Sequence, residues 1–329
     1  MSEVLLKLEN AAIGYADKIL IKSIQAEVKA GEFIVVLGKN GVGKSTLMQT
    51  LLGQLPLING NLFYGNKIVT SLSPKEIAQQ IAVVFSKLQT IPAIKVVDIL
   101  KTGRIPHYSF LKFIQSNENL KIDEVLNLVG ISDLKNSYLN ELSEGQLQLV
   151  VIARALMQDT PMLILDEPTA NLDLENQLHV FRLIQRLKEQ TNKAIVMITH
   201  EAQLGLKFAD KIWWVEDEQL HQGLPESIAH RFQIISKLSG EHLQYNAVTA
   251  SYEIDSEQHF QPLFELSNDL AYWLHQALNR KQIALTSLGL EQLEIRENHI
   301  IFEHQTFESI DSFLNYIQQH EKYYYNRSK

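Results

Sequence analysis

Four short apolar runs punctuate the first part of the chain: FIVVLG at 33–38, IAVVF at 81–85, MLILD at 162–166 and AIVMITH at 194–200. All but IAVVF abut glycine or an acidic residue, and longer amphipathic stretches lie between them. Continuous apolar runs of about five residues suit strands buried on both faces, and the amphipathic stretches suit helices covering them. The pattern predicts an α/β fold built on a mostly parallel sheet.

From Gln89 to about Asn140 this alternation gives way to helical patterns such as DILKTG and the stretch at 118–129. With the helical pattern that follows Ser143, this reads as a helical insert over about residues 89–158. Near 220–225 the α/β pattern fades, and a last helix is expected at 225–238, ahead of Gly240. The division is therefore predicted as a large unit over 1–239 and a small module over 240–329. In that module polar alternating stretches (ASYEID, EQLEIRENHIIFEH) and amphipathic ones (LAYWLHQALNR, SIDSFLNYIQQH) predict a small α+β unit. The final YYYNRSK is expected to fray.

Composition narrows the classes. With 45% hydrophobic and 21% charged residues, disorder and fibrous classes are set aside. A net charge of −8 and the lack of a long Lys/Arg run argue against a nucleic-acid partner. The absence of cysteine removes disulfide frameworks and thiolate metal sites. No window approaches the roughly 20 apolar residues of a membrane helix, and the N-terminus lacks the marks of a signal peptide. A role at a membrane therefore requires docking onto another subunit.

The chemistry begins directly after the first buried run. GKNGVGKS at 38–45 places Gly38, Asn40, Gly41, Gly43, Lys44 and Ser45 between a strand and a helical pattern, with Thr46 next in line. Such glycines let backbone N–H groups wrap phosphate oxygens while the helix N-terminus adds partial positive charge. Lys44 then reaches the outer phosphates and Ser45 offers its hydroxyl to Mg²⁺. Asp166 and Glu167 end the MLILD run, where adjacent carboxylates are costly unless something binds there. Asp166 is assigned to Mg²⁺ and Glu167 to polarising the attacking water, which makes ATP with Mg²⁺ the expected ligand pair. His200 closes another buried run and is a candidate γ-phosphate contact. Ser143, Gly145 and Gln146 open an amphipathic helix, which by local physics alone is an N-cap followed by a small residue.

Together these segments resemble the nucleotide-binding subunit of ABC transporters: phosphate loop, an LSxGQ signature at 142–146, an acidic strand end, a D-loop in TANLD and a switch histidine. Lys44 lies 99 positions before Ser143, and Gln146 lies 20 before Asp166. The resemblance covers residues 1 to about 235. It implies a P-loop NTPase fold of ABC type, with antiparallel N-terminal strands and a helical insert. It also implies that Lys44, Glu167 and His200 are catalytic, that Tyr15 stacks on adenine, and that two copies, or a copy and a paralogous ATPase subunit, stack head to tail. Ser143, Gly145, Gln146 and Asp173 of one copy then face ATP held by the other. Gly103, Arg104, Pro106 and His107 further resemble a segment of importer ATPases for iron-siderophore, haem and cobalamin. The implied partners are a polytopic membrane permease and, indirectly, an extracytoplasmic substrate-binding protein. The implied place is the cytoplasmic face of the membrane, held peripherally. In that family a glutamine near the end of the IAVVF run approaches Mg²⁺, whereas here Ser86 stands at the matching position with Gln89 nearby, so either is a candidate. The rival classes are an exporter ATPase, a soluble ABC protein and a regulatory ATP-binding module.

Overall fold

The computed structural model describes residues 3–16, 18–85, 93–108, 118–238, 268–281, 283–285, 290–296, 298–320 and 324–326. Ser86, Gln89 and the ASYEID stretch lie outside the described residues.

Two sheets form the framework of the first compact unit, Met1–Gln222. In the first sheet, β1 (Val4–Tyr15) and β2 (Lys18–Lys29) pair antiparallel, and β1 also pairs antiparallel with β4 (Asn59–Tyr64), which pairs with β5 (Lys67–Ile68). The second sheet has β3 (Phe33–Gly38), β6 (Ile81–Val84), β7 (Met162–Asp166), β8 (Ala194–Ile198), β9 (Lys211–Glu216) and β10 (Gln219–Gly223) in the order β10-β9-β3-β8-β7-β6. Strands β6, β7, β8, β3 and β9 pair with one another in parallel, in that order. Every residue of β3 and β8 is buried, which is why these strands read as unbroken apolar runs rather than as alternation. One core cluster joins the sheets, with Leu6, Leu8 and Ile13 of β1, Ile34 and Val36 of β3, and Trp213 of β9 among its members.

The helices of this unit are α1 (Lys44–Leu51), α2 (Pro74–Ala78), α3 (Val96–Thr102), α4 (Asn119–Val129), α5 (Glu144–Met157), α6 (Leu174–Thr191) and α7 (Ala202–Phe208). Helices α3 and α4 both pack on α5, which makes the predicted insert a small helical layer. Asp210 closes the N-terminal edge of the central strand. Its Oδ2 accepts from Phe33 N at 2.8 Å, and Lys188 Nζ donates to the same carboxylate at 3.0 Å.

The second compact unit is Gly223–Lys329, and its start differs from the expected division at 240. Helix α8 (Pro225–Phe232) is the reason: it packs on α9 (Ile234–Leu238), α10 (Asp269–Arg280) and α11 (Ile310–Gln318). Glu226 of α8 is only 3% exposed, and Arg280 of α10 donates to both of its oxygens at 2.7 and 2.8 Å. A buried carboxylate needs such a partner, so the contact decides where the helix belongs. Strands β12 (Leu293–Ile295), β13 (Ile300–Phe302) and β14 (Gln305–Phe307) form an antiparallel sheet, and β11 (Ile283–Leu285) pairs with β15 (Tyr324–Asn326). Residues 324–326 are thus a paired strand, where the sequence alone predicts fraying. Ile300, Phe302, Phe307 and Phe313 fill the core of this α+β module.

Candidate functional site

Because β3, β8 and β7 are parallel neighbours, the segments leaving their C-terminal ends meet at one edge of the sheet. The loop at 39–43 follows β3. Asp166 ends β7 opposite Ile198, so Glu167 and the Thr199–His200 pair leave adjacent strands side by side.

The glycine loop is shaped by backbone rather than side chains. Gly41 and Gly43 have φ of 81° and 109°, in the left-handed region where a Cβ is strained. Gly38 is constrained by space instead, since a Cβ there lies 2.8 Å from the Val215 carbonyl. Gly43 caps α1 without a side-chain hydrogen bond, so the first-turn N–H groups of α1 face the loop. Lys44, 6% exposed, folds back to donate to the carbonyls of Gly38 at 2.6 Å and Lys39 at 2.9 Å. Ser45 is exposed, Thr46 is buried, and Thr46 Oγ1 lies 3.5 Å from the Tyr15 hydroxyl. Tyr15 ends β1 with 53% of its surface exposed, its hydroxyl beside the first turn of α1.

Opposite the loop, His200 Nε2 donates to Glu167 Oε1 at 2.7 Å. Glu167 has φ of 49°, uncommon for a non-glycine residue, and its N–H donates to Ile198 O at 2.8 Å, anchoring the turn to β8. Burial holds the Lys44 ammonium below the ordinary lysine range, offset in part by the charges of Glu167 and Asp166. Burial, followed by the Glu167 charge, pushes the Asp166 carboxyl up, against His200 and Lys44. A half-buried carboxylate beside a second negative charge gains from a cation. Mg²⁺ binds through one or two carboxylates together with phosphates and waters. Asp166 with the Ser45 hydroxyl matches that donor set, and among the described residues no cluster of three or more His, Asp or Glu competes for a metal.

A second group gathers on the N-termini of α5 and α6. Ser143 and Gln146 form a reciprocal capping box at 3.0 and 3.3 Å. Asp173 caps α6 by accepting from Asn176 N at 2.8 Å. Gly145 stands against Asn176, a neighbour that sequence reasoning missed. Gln177 of α6 was missed as well: it donates to Glu201 beside the histidine at 3.2 Å. Neither residue lies in a motif, and the Asp173–Asn176 spacing shows only as an ordinary cap.

The Gly103–His107 segment is tied to the C-terminal end of α5. Arg104 Nη1 donates to Met157 O at 3.3 Å and His107 Nε2 to Gln158 O at 2.6 Å, which satisfies carbonyls that a helix end leaves unpaired. Packing thus accounts for Arg104 and His107, which a proline turn alone does not. Gly103 has ordinary helical φ of −59°, but a Cβ there lies 2.4 Å from Arg154 O and 2.7 Å from Met157 Cβ. Gly103→Ala is therefore expected to destabilise the protein by about 1–3 kcal/mol through overpacking. A urea midpoint equal to the parent's would show that α3 and α5 separate freely.

A strand, a glycine loop opening a helix, and an acidic end on another parallel strand of the same sheet define a P-loop nucleotide hydrolase. The ABC transporter family model matches residues 21–170. The chain is 32% identical over 224 residues to the petrobactin import ATP-binding protein of Bacillus anthracis, covering 68% of this chain and 82% of that one. It is 30% identical over 204 residues to the iron(3+)-hydroxamate import ATP-binding protein of Bacillus subtilis, covering 62% and 76%. Among solved structures, cbiO1 of Clostridium perfringens, part of the ABC transporter complex cbiONQ, superposes with TM-score 0.63 at 27% identity, covering 73% of this chain and 96% of that one. The chain belongs to the ABC transporter ATP-binding family, and it is an ATPase.

Proposed function

We propose that this chain is the energy-coupling ATPase of a membrane importer for an iron-siderophore, haem or cobalamin-type compound. The observation that carries the ATPase chemistry is the buried Lys44 ammonium among the carboxylates of Asp166 and Glu167, with His200 holding Glu167. The importer class rests on the petrobactin and hydroxamate import relatives, since packing explains Arg104 and His107.

In this reading Gly38, Asn40, Gly41 and Gly43 cradle phosphates through the backbone, and Lys44 neutralises the outer ones. Ser45 and Asp166 hold Mg²⁺, which supplies further charge neutralisation when bound, and Thr46 supports the first turn of α1. Tyr15 stacks on adenine, Glu167 orients and polarises the attacking water, and His200 keeps Glu167 aimed while reaching the γ-phosphate. Catalysis is then positioning and charge stabilisation, as in phosphoryl transfer generally. Ser143, Gly145, Gln146 and Asp173 face the nucleotide of a second copy or a paralogous subunit stacked head to tail. Among the described residues no helix is long and apolar enough to cross a membrane, which fits peripheral attachment through a permease on its cytoplasmic side. The Gly223–Lys329 unit is an accessory module on this ATPase.

Purifying the Glu167→Gln variant from mildly solubilised membranes with ATP tests the importer role. A polytopic permease, together with a metal-chelate-type binding protein, is the expected company. Recovery of an exporter's membrane subunit, or of ribosomal or chromosomal proteins with no membrane subunit, overturns it.

A further inference from the structure

We propose that Asn176 is a positioning residue that joins the signature turn to the D-loop, so that engagement of Ser143 and Gly145 sets the position of Asp173. The inference rests on the head-to-tail reading given above, in which both segments face a second copy.

Asn176 sits in the first turn of α6, between two segments far apart in sequence. On one side it occupies both oxygens of Asp173: its backbone N–H donates to Oδ1 at 2.8 Å and its Nδ2 donates to Oδ2 at 3.1 Å. On the other side it abuts the signature. A Cβ built on Gly145 lies 2.9 Å from Asn176 Oδ1 and 3.1 Å from its Cγ. Gly145 does not have positive φ, so glycine is needed there for space and not for backbone freedom. The space it vacates is taken by the Asn176 carboxamide.

The consequence is mechanical. A flat amide wedged against Gly145 and hydrogen-bonded to Asp173 cannot follow one without moving the other. The next residue extends the connection: Gln177 Nε2 donates to Leu172 O at 3.1 Å and to Glu201 Oε1 at 3.2 Å, and Glu201 N donates to Thr199 Oγ1 at 3.0 Å. A shift of the signature turn is thereby carried to the D-loop cap and onward to the strand end that holds His200. A double-mutant cycle measures this coupling directly.

The informative change is Asn176→Asp, which keeps shape and volume but sets an oxygen against Asp173 Oδ2. An acidic residue in a first helical turn favours the helix, so folding is not threatened. Expected for Asn176→Asp is a fall in kcat of about tenfold with KM for ATP within about twofold, a size ordinary for contacting residues. In the exchange Asp173→Asn with Asn176→Asp, donor and acceptor swap places while the cap oxygen survives. Its turnover is expected to exceed that of Asn176→Asp alone.

A kcat for Asn176→Asp equal to the parent's, or an exchange variant whose losses merely add, overturns the inference. Ser143→Arg separates this from failure of the underlying reading, because an arginine at the signature blocks a partner's nucleotide. If Ser143→Arg turns over normally, the head-to-tail reading fails. If it is inactive while Asn176→Asp is normal, only the role of Asn176 fails.

Discussion

Glu167→Gln is expected to lower kcat for ATP by about 10²–10⁴-fold, the usual contribution of a positioned general base, while ATP still binds. The amide matches the carboxylate in shape, and its oxygen can keep the 2.7 Å hydrogen bond donated by His200 Nε2, so the turn at φ 49° need not rearrange. What disappears is the negative charge. Since that charge pushes the Asp166 carboxyl up, its removal lets Asp166 ionise more readily, and Mg²⁺ binding is not weakened. Phosphate release and equilibrium binding of a fluorescent ATP analogue, measured on the same preparation, separate the two effects. Turnover within tenfold of the parent would move the base to another residue.

Lys44→Ala acts on the other half of the reaction. Its ammonium is expected to leave the carbonyls of Gly38 and Lys39 for the nucleotide's outer phosphates, and charge-assisted hydrogen bonds of this kind are worth about 1.5–3 kcal/mol. ATP affinity should therefore fall by about 10–10²-fold, with a loss of turnover that excess ATP does not restore. The same lysine predicts a pH dependence. Burial lowers its pKa below the ordinary 10.5, so it sheds its proton earlier on an alkaline titration than an exposed lysine. Affinity for ATP should weaken as pH rises through that lowered value, and the alanine variant should lack this limb. For folding the sign is opposite: burying the charged form opposes folding at low pH, and this cost fades as pH rises through the lowered pKa. Parallel ATP titrations of parent and variant at rising pH check it; identical alkaline limbs would remove Lys44 from the phosphate site.

Local order was legible in the residues. The runs at 33–38 and 162–166 became β3 and β7 with those bounds, because a strand buried on both faces has no polar position to blur its edges. The glycine loop was readable because its shape is set by consecutive residues, with Gly41 and Gly43 at φ 81° and 109°. The signature was harder: Ser143 shows locally as a cap, and only the family resemblance gave it a meaning.

What the sequence by itself determined, then, is each element whose physics is contained within a few residues: the apolar strands, the glycine loop, the acidic strand end and the caps of α5 and α6. Tertiary structure decided matters that depend on residues distant along the chain. Arg280 buries Glu226 and so draws α8 into the second unit; β11 pairs with residues 324–326, which in isolation read as a frayed end. Arg104 and His107 acquire a reason only when the carbonyls of Met157 and Gln158 arrive beside them. Asn176 fills the space beside Gly145 from 31 positions away. Hydrophobic periodicity reports which face of an element is buried but not what covers it, and in each of these cases the covering partner is what gives the residue its role.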